Sequence, residues 1–372
     1  MKTKKIVFLL PSCKKSGPVQ QMLNIIKHLN RTEFEPYLVT VYPETEEESM
    51  LELYKTYVQR YLYVPTSKLD MVLGRDNKLR EVLKEINPDV IHSLGVFPDF
   101  AVSRMKRWKH IITSRNFVYE DYPAKFGRVK GNIVAKMHLY AMNHTSKTVT
   151  CSESLAKIYK ERLGLQFDFI RNGVDIEEYS APSIEEKLSI RKELGLPDNA
   201  FIFVYTGQFI ERKNLGILLK VFSDSFKEKD VQLLMLGGGV LLDGYKSQYG
   251  NVANIDFRGN VGNVNHYLKA CDAYISTSKS EGLPNGVLEA MATGLPVVLS
   301  DIVQHLEIHN VNQRIGYVYK QGDEQMLAER MRDIIPLAHE MGQEAYQTAH
   351  SNFSAKGMSL NYQELYKQIA SK

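Results

Sequence analysis

The chain has 372 residues, which is long for one hydrophobic core and predicts two domains. Its 44% hydrophobic and 24% charged residues are typical of a globular protein and exclude a disordered or fibrous class. The formal net charge of +4 at pH 7 comes without a recognisable nucleic-acid-binding motif, so no nucleic-acid partner is predicted.

Short apolar segments alternate with helical patterns in the first half of the chain. The predicted strands cover residues 6–10, 37–41, 90–92, 111–113 and 148–151, and helical periodicity appears at 19–29 and 78–86. Such alternation predicts a parallel sheet with helices on both faces. The apolar run at 6–10 is too short for the core of a signal peptide and is better explained as the first buried strand.

A basic stretch at 104–147 carries most of the excess positive charge. Residues 101–150 contain ten lysines and arginines but only two carboxylates, with apolar and aromatic side chains between them. Such a surface suits an anionic membrane or a lipid pyrophosphate. A solvated basic helix that only improves solubility is the alternative. The three distant cysteines favour a reducing, cytoplasmic location, and no segment has the ~20 apolar residues of a membrane span.

The second half of the chain repeats the strand–helix alternation after a junction at 170–182. Its predicted strands cover 200–206, 231–236, 255–257, 273–276 and 296–299, with a helix at 215–226. The chain is therefore predicted to be an α/β protein with two doubly wound, Rossmann-like domains, at 1–180 and 181–355. Ligands of such sheets bind at the carboxyl ends of the strands, which predicts an active site in a cleft between the domains.

The most informative segment is 280–298, where Glu281 and Glu289 are separated by seven residues. Glu281 follows a predicted buried strand, and Pro284 precedes a short helix that carries Glu289. The first backbone amides of that helix belong to Asn285, Gly286 and Val287. Amides in this position have no acceptor within the helix and can bind an anion. A sugar nucleotide has hydroxyls that carboxylates can bind and phosphates that the amino end of a helix can bind. The segment therefore predicts a site for a sugar nucleotide.

This segment resembles the E-x7-E signature of retaining glycosyltransferases of family GT4, which have the GT-B fold. In that family the first glutamate contacts the donor sugar and the second holds the nucleotide ribose, which implies these roles for Glu281 and Glu289. The resemblance also implies that a last helix, at 356–372, crosses back to the first domain.

A second segment, 206–214, resembles the family's phosphate-binding turn. Lys213 matches the lysine that binds the nucleotide diphosphate. Gln208 stands where an arginine is usual, so Arg212 is the candidate for the missing cation. Near the N-terminus, Gly17 resembles part of the family's glycine-rich loop. The resemblance implies further donor contacts from Gly207, Gly238, Val261, Gly282, Leu283 and Pro284.

The acceptor site is less clearly marked. Family members often carry a histidine after the strand at 111–113, whereas this chain has Arg115 followed by Asn116. Arg115 is a candidate for binding an anion of the donor or acceptor, Asn116 for binding acceptor hydroxyls, and His92 for the same cleft edge.

The resulting hypothesis is a retaining, metal-independent hexosyltransferase without a cofactor. It would move a sugar from a nucleotide diphosphate donor, by default a UDP-sugar, to a lipid-linked or other saccharide acceptor in bacterial capsule, O-antigen or related synthesis. The protein would be cytoplasmic or peripheral at the inner membrane face. A catalytically degenerate subunit that binds nucleotide sugar and a nucleotide-sugar 2-epimerase are the alternatives.

Overall fold

The computed structural model describes residues 3–45, 48–227 and 230–371, which form two compact units. The first unit comprises Met1–Gly173 and Ala355–Lys372, and the second comprises Val174–Ser354. The contact boundary thus follows Gly173, whereas the sequence-based boundary follows residue 180.

The first unit is built on a parallel sheet with the strand order β3-β2-β1-β4-β5-β6-β7 among the described residues. Its elements, in chain order, are β1 (Lys4–Leu10), α1 (Gly17–Lys27), β2 (Phe34–Thr40), α2 (Leu51–Lys55), β3 (Arg60–Tyr63), α3 (Lys68–Leu73), α4 (Asn77–Ile86), β4 (Val90–Ser93), α5 (Val96–Ser103), β5 (Lys109–Ser114), α6 (Val118–Phe126), α7 (Arg128–Asn143), β6 (Lys147–Thr150), α8 (Glu153–Leu163) and β7 (Asp168–Phe169). Strand β1 lies inside the sheet, between β2 and β4. Its apolar run is continuous because helices cover both faces of the sheet.

The second unit has a parallel sheet with the strand order β10-β9-β8-β11-β12-β13 in the part of the chain that is described. Its helices and strands are α9 (Ile184–Leu194), β8 (Phe201–Thr206), α10 (Leu215–Ser225), β9 (Val231–Leu236), α11 (Leu242–Tyr249), β10 (Ile255–Gly259), α12 (Val264–Lys269), β11 (Ala273–Ser276), α13 (Asn285–Ala292), β12 (Val297–Ser300), α14 (Val303–His309), β13 (Gly316–Tyr319), α15 (Glu324–Ile334) and α16 (Ala338–Asn352). Short 3₁₀ helices at Glu211–Lys213, Gln313–Ile315 and Ile335–Leu337 join them. In both units the strand order reverses beside the first strand, as in doubly wound sheets.

The last helix, α17 (Ala355–Ala370), packs on the first unit beside α1. The hydroxyl of Ser359 donates to the carbonyl of Ile25 over 2.8 Å, and the side chain of Gln363 accepts from the amide of Asn30. The buried rings of Tyr362 and Tyr366 extend this contact into the core. Helix α17 therefore contributes to the hydrophobic core of the N-terminal unit.

Element positions differ from the sequence-based prediction mostly at ends and edges. Helix α1 begins two residues earlier than predicted, because Pro18 occupies its first turn, where a proline is tolerated. Strand β3 was not predicted; it is only partly buried and lacks the apolar run that identifies the central strands. Edge strands need fewer apolar residues, since only part of their surface packs on the core.

Candidate active site

Two cations are presented by the loop between β8 and α10. Arg212 and Lys213 lie in the 3₁₀ helix Glu211–Lys213. Asn214 then takes a left-handed backbone conformation with φ of 52° and begins α10. The hydroxyl of Thr277, just after β11, donates to the carbonyls of Lys213 and Asn214 over 2.9 and 3.1 Å. The loop is thereby tied to the carboxyl end of the neighbouring strand β11.

Glu281 lies in the loop after β11 and binds both cations directly. Its Oε1 accepts from Lys213 Nζ over 2.5 Å, and its Oε2 accepts from Arg212 Nη1 over 2.6 Å. The side chain of Glu281 is only 6% exposed. A buried carboxylate needs such partners, because desolvation of an unpaired charge costs several kcal/mol. The three residues thus form one charged cluster, which we call the Glu281 cluster.

The charge of Glu281 is strongly stabilised. Burial alone would raise the pKa of this carboxyl, but attraction by Lys213 and Arg212 outweighs burial and holds the pKa well below its ordinary value. Glu281 is therefore ionised throughout the physiological pH range. An ionised acceptor of this kind can orient sugar hydroxyls or stabilise positive charge, but it cannot serve as a proton donor.

Glu281 is also held by a chain of hydrogen bonds from polar side chains that the sequence analysis did not identify. The hydroxyl of Ser278 donates to Glu281 Oε1 over 2.7 Å, and the Ser278 carbonyl accepts from the hydroxyl of Ser300 over 2.7 Å. The ring of His305 lies next to Ser300, with Nδ1 at 3.0 Å from its hydroxyl oxygen. Ser278 could have been found from its position three residues before Glu281. Ser300 is the last residue of strand β12 and His305 lies in helix α14, and no sequence signal connects them to the site.

Helix α13 begins directly after Glu281. Pro284 is its N-cap, and the helix runs from Asn285 to Ala292, as the segment predicts. Gly286 packs tightly here: a Cβ atom would lie 2.5 Å from the hydroxyl oxygen of Tyr274 and 2.8 Å from that of Thr206. Gly282, Leu283 and Pro284 are buried, and Val287 faces the core. The amino end of α13 and the Glu281 cluster therefore belong to one compact surface at the carboxyl ends of β8 and β11.

Glu289 lies on the fifth residue of α13 and is half-buried. Its charge adds to the effect of burial in raising the pKa of Tyr179 and of Tyr274. Glu281 is thus paired with two cations, and the charge of Glu289 acts on two tyrosines.

Glycines line the neighbouring strand ends. A Cβ atom on Gly237 would lie 1.9 Å from the carbonyl oxygen of Gly207, so the turns after β8 and β9 approach too closely for a side chain. Gly238 lies against the amide of Asn260, and Val261 follows β10 at the same edge of the sheet. Gln208 is exposed, and its carbonyl accepts from the hydroxyl of Tyr205.

The N-terminal unit carries four of the predicted site residues, Gly17, His92, Arg115 and Asn116. Gly17 is the first residue of α1, after the N-cap Ser16. Arg115 and Asn116 follow β5, and Arg115 Nη1 donates to Asn172 Oδ1 over 2.7 Å. The remaining nitrogens Nε and Nη2 of Arg115 are buried without a hydrogen-bond partner in the described residues. This guanidinium is a partly buried cation that retains hydrogen-bonding capacity.

His92 has a different environment from the one expected of an acceptor ligand. It is fully buried, with Nδ1 at 2.8 Å from the hydroxyl of Tyr366 and Nε2 at 2.9 Å from that of Thr113. Burial lowers its pKa well below the ordinary value, with a smaller contribution from Arg115. Because both ring nitrogens are engaged inside the core, we assign His92 to the packing of helix α17 and leave it out of the proposed acceptor site.

Metal-binding side chains are not clustered in the described structure. Within residues 3–45, 48–227 and 230–371, no group of three or more His, Cys, Asp or Glu side chains is arranged to hold a metal ion. At the Glu281 cluster, the structure instead brings together the two cations of Lys213 and Arg212. None of the helices in the described ranges is both long enough and apolar enough to cross a membrane.

Comparison with known proteins agrees with these features. The family described as Glycosyltransferase Family 4 matches residues 15–178, and the family described as Glycosyl transferases group 1 matches residues 186–348. The chain is 25% identical over 316 residues to the O-antigen biosynthesis glycosyltransferase WclY of Escherichia coli, with 82% of each chain covered. It is 26% identical over 261 residues to the UDP-Gal:alpha-D-GlcNAc-diphosphoundecaprenol alpha-1,3-galactosyltransferase of the same species, covering 65% of this chain and 66% of that one.

Solved structures share the fold at lower identity. Sucrose-phosphate synthase from Thermosynechococcus elongatus superposes with a TM-score of 0.81 at 17% identity, covering 99% of this chain and 100% of that one. Anabaena HepE in complex with UDP and glucose gives a TM-score of 0.80 at 18% identity, with 98% and 99% covered. Together, the two Rossmann-like sheets and these matches define a glycosyltransferase of the GT-B fold. More specifically, the chain belongs to the GT4-type glycosyltransferases, as its carboxylate motif predicted.

Proposed function

We propose that the protein is a retaining glycosyltransferase that moves a hexosyl group from a UDP-sugar to a lipid-linked saccharide during the synthesis of a bacterial surface polysaccharide. Family membership supports the reaction class. The names of two relatives, an O-antigen transferase and a transferase acting on a diphosphoundecaprenol acceptor, support the acceptor class. The HepE complex with UDP and glucose supports the donor class.

The main observation behind this proposal is the Glu281 cluster. When the bond between the sugar C1 and the diphosphate breaks, negative charge develops on the phosphate oxygens. Lys213 and Arg212, which lie together on Glu281, would stabilise that charge, and stabilisation of this kind is usually the largest contribution to catalysis. Glu281 would contact the sugar, Glu289 the ribose, and the amino end of α13 the diphosphate.

We propose that configuration is retained because the acceptor attacks from the face that the diphosphate leaves. The acceptor oxygen forms the new bond to C1, and its proton passes to an oxygen of the departing diphosphate. No protein base is needed for this route, which is consistent with an arginine at position 115 and a histidine at position 92 that is engaged in the core. We propose that the two cations make a metal ion and a cofactor unnecessary.

The proposed acceptor site uses Arg115. A guanidinium with buried N–H groups that lack a partner in the described residues is well suited to a phosphate of the lipid carrier, because it binds phosphate through several parallel hydrogen bonds. Asn116 is a weaker candidate for a hydroxyl ligand, since its backbone carbonyl and side chain already bind Tyr159 and Asp121.

We further propose that the enzyme is cytoplasmic and docks on the inner face of the membrane through helices α6 and α7. Val129, Ile133 and Phe126 are 78%, 64% and 44% exposed at this hairpin. Arg128 and Lys130 are exposed beside them, and no carboxylate occurs from Tyr122 to Ser152. Apolar side chains beside positive charge are the pattern that binds anionic bilayers.

Sedimentation with lipid vesicles tests this docking. The full chain should bind vesicles of phosphatidylglycerol, bind vesicles of phosphatidylcholine weakly, and be released by salt. The double substitution Val129→Asp with Ile133→Asp should abolish binding, whereas Ile184→Asp, at an equally exposed position (76%) of the other unit, should not. Equal binding by the double variant would contradict the docking proposal.

The donor class is tested by thermal shift with UDP, GDP, ADP and their common sugars, followed by transfer assays with and without EDTA. Stabilisation by UDP and UDP-sugars, lost in Glu289→Ala, is expected. Transfer should persist in EDTA, and the anomeric configuration of the product should match that of the donor. Stabilisation by a nucleotide sugar without transfer would favour a degenerate subunit, and interconversion of the free sugar nucleotide would favour an epimerase. Absence of stabilisation by every nucleotide would contradict the proposed donor class.

A further inference from the structure

The Glu281 cluster has a consequence for how the donor enters and leaves. The carboxylate occupies a donor group on each of the two cations: Lys213 Nζ at 2.5 Å and Arg212 Nη1 at 2.6 Å. The same Arg212 nitrogen also donates to the carbonyl of Ser280 over 2.5 Å. The cations proposed to bind the diphosphate are therefore already bound to an internal anion.

A carboxylate and a phosphate use these cations in the same way. Both are anionic oxygen acceptors that take short, charge-assisted hydrogen bonds from ammonium and guanidinium groups. A diphosphate placed on Lys213 and Arg212 would also lie close to the Glu281 charge, and the side chain of Glu281 is almost completely shielded from solvent. Repulsion between the two anions is weakly screened in such a setting.

We infer that Glu281 is an internal competitor of the donor diphosphate for Lys213 and Arg212. The inference rests on the proposed function, in which the diphosphate binds these two cations. On donor binding, phosphate oxygens take over the Lys213 and Arg212 donors, and the carboxylate is released toward the sugar hydroxyls. After transfer, Glu281 pairs with both cations again and weakens the hold on the nucleoside diphosphate. The same residue thereby contacts the sugar and promotes product release.

Ser278 sets the strength of this competition. Its hydroxyl is buried and donates to the same Glu281 oxygen that binds Lys213. The Ser278 carbonyl is fixed in turn by the hydroxyl of Ser300 over 2.7 Å and by the side chain of Gln321 over 3.2 Å. Ser278 is therefore a positioning residue that favours the carboxylate in its paired place.

The test is the affinity for inorganic pyrophosphate, a probe that contains neither sugar nor nucleoside. Calorimetric titration would be done on the full chain at low ionic strength without divalent ions. Glu281→Gln, which keeps the shape of the side chain but removes its charge, should bind pyrophosphate at least about tenfold more tightly than the wild type. The same variant should lose sugar transfer. An increase in affinity together with a loss of activity is not expected of a merely structural residue.

Matched variants make the test specific. Glu289→Gln removes the other carboxylate of the motif, whose charge acts on two tyrosines, and the pyrophosphate affinity of this variant should stay within about twofold of the wild type. Adding Lys213→Ala to Glu281→Gln should remove the gain. Ser278→Ala keeps all the charges and should give a smaller gain of about threefold, because one hydrogen bond to the competitor is lost.

Unchanged or weaker pyrophosphate binding by folded Glu281→Gln would overturn the inference. If that variant does not fold, Ser278→Ala decides the question, and an affinity no higher than that of the wild type overturns the inference. Failure of the proposed function has a different signature. In that case the wild type transfers no sugar from any donor, whatever the pyrophosphate affinities are.

Discussion

The two units of this protein have the same doubly wound architecture, but the cations of their candidate sites have different partners. In the C-terminal unit, Lys213 and Arg212 share one carboxylate, that of Glu281, at 2.5 and 2.6 Å. In the N-terminal unit, Arg115 donates to the neutral amide of Asn172, and two of its nitrogens are buried without a partner in the described residues. The cations of the C-terminal site therefore have a carboxylate partner within the protein, whereas Arg115 pairs with a neutral amide.

The difference matters because a buried cation without a counter-ion destabilises the folded state, and removing one partner of a buried pair leaves the other charge in that condition. Removing one member of the Glu281 cluster should therefore reduce both stability and activity. Removing Arg115 should reduce activity without reducing stability. A ligand anion that completes the environment of Arg115 would explain why such a residue is present.

The largest effect is expected from Lys213→Ala. Losing one cation that stabilises the leaving diphosphate should lower kcat/KM for the donor by about 10²–10³-fold. The unfolding free energy should fall by about 1–3 kcal/mol, because a hydrogen bond to a buried carboxylate is lost. Steady-state kinetics and urea denaturation measure the two effects.

Lys220→Ala is the matched control for Lys213→Ala. Lys220 also pairs with a glutamate, Glu324, but both side chains are about half exposed, at 52% and 47%. Exposed pairs contribute little, so activity and stability should remain close to those of the wild type. A loss of less than about tenfold in Lys213→Ala would be incompatible with the proposed role of this lysine.

A smaller effect is expected from Arg115→Gln. The KM for the lipid-linked acceptor should rise about tenfold, because a charge-assisted contact to phosphate is lost. The KM for the donor should change little, and the melting temperature should not fall. Arg162→Gln, which removes an exposed pair with Glu120 in the same unit, is the control. A lower melting temperature with an unchanged acceptor KM would mean that Arg115 is structural.

The smallest effect concerns pH, where the two units should behave alike. Burial lowers the pKa of His110 in the N-terminal unit and of His305 in the C-terminal unit to about 4. A histidine with a lowered pKa takes up its proton more readily when unfolded, so the stability it contributes is present above the ordinary pKa of 6.5 and is lost as pH falls toward 4.

Between pH 7 and 5.5, each of these histidines should reduce the unfolding free energy by about 1 kcal/mol. Urea denaturation of His110→Asn and His305→Asn across this range measures each contribution separately. Each variant should show a shallower dependence on pH than the wild type. An unchanged dependence in both variants would show that neither histidine is held neutral by burial.

The motifs whose residues are close together in the chain could be predicted, because each of them consists of a single loop and the helix that follows it. Lys213 belongs to a strand–turn–helix segment, and Glu281 and Glu289 to another, so local periodicity and turn residues locate them on the sheet edge. Family membership agrees with that prediction. The donor roles of the individual residues remain predictions, because they concern contacts to a bound ligand.

Contacts between distant segments could not be predicted in the same way. The pairing of Glu281 with Lys213 joins residues 68 positions apart. The position of Tyr366 against His92 joins residues 274 positions apart. A histidine at the end of a strand has the same sequence pattern whether it faces a ligand or a helix from the other end of the chain. For that reason the sequence suggested an acceptor role for His92, whereas the fold places its ring against helix α17.

The sequence by itself determined the class of fold, the alternation of strands and helices, and the two charged segments of the C-terminal unit. Apolar runs, glycine turns and helix-start residues act over a few positions and can be recognised without the rest of the chain. Only the tertiary structure decided which charges are paired, because pairing and desolvation depend on neighbours brought together by the fold. The pairing of Lys213 and Arg212 with Glu281 and the incompletely satisfied Arg115 are therefore properties of the folded protein.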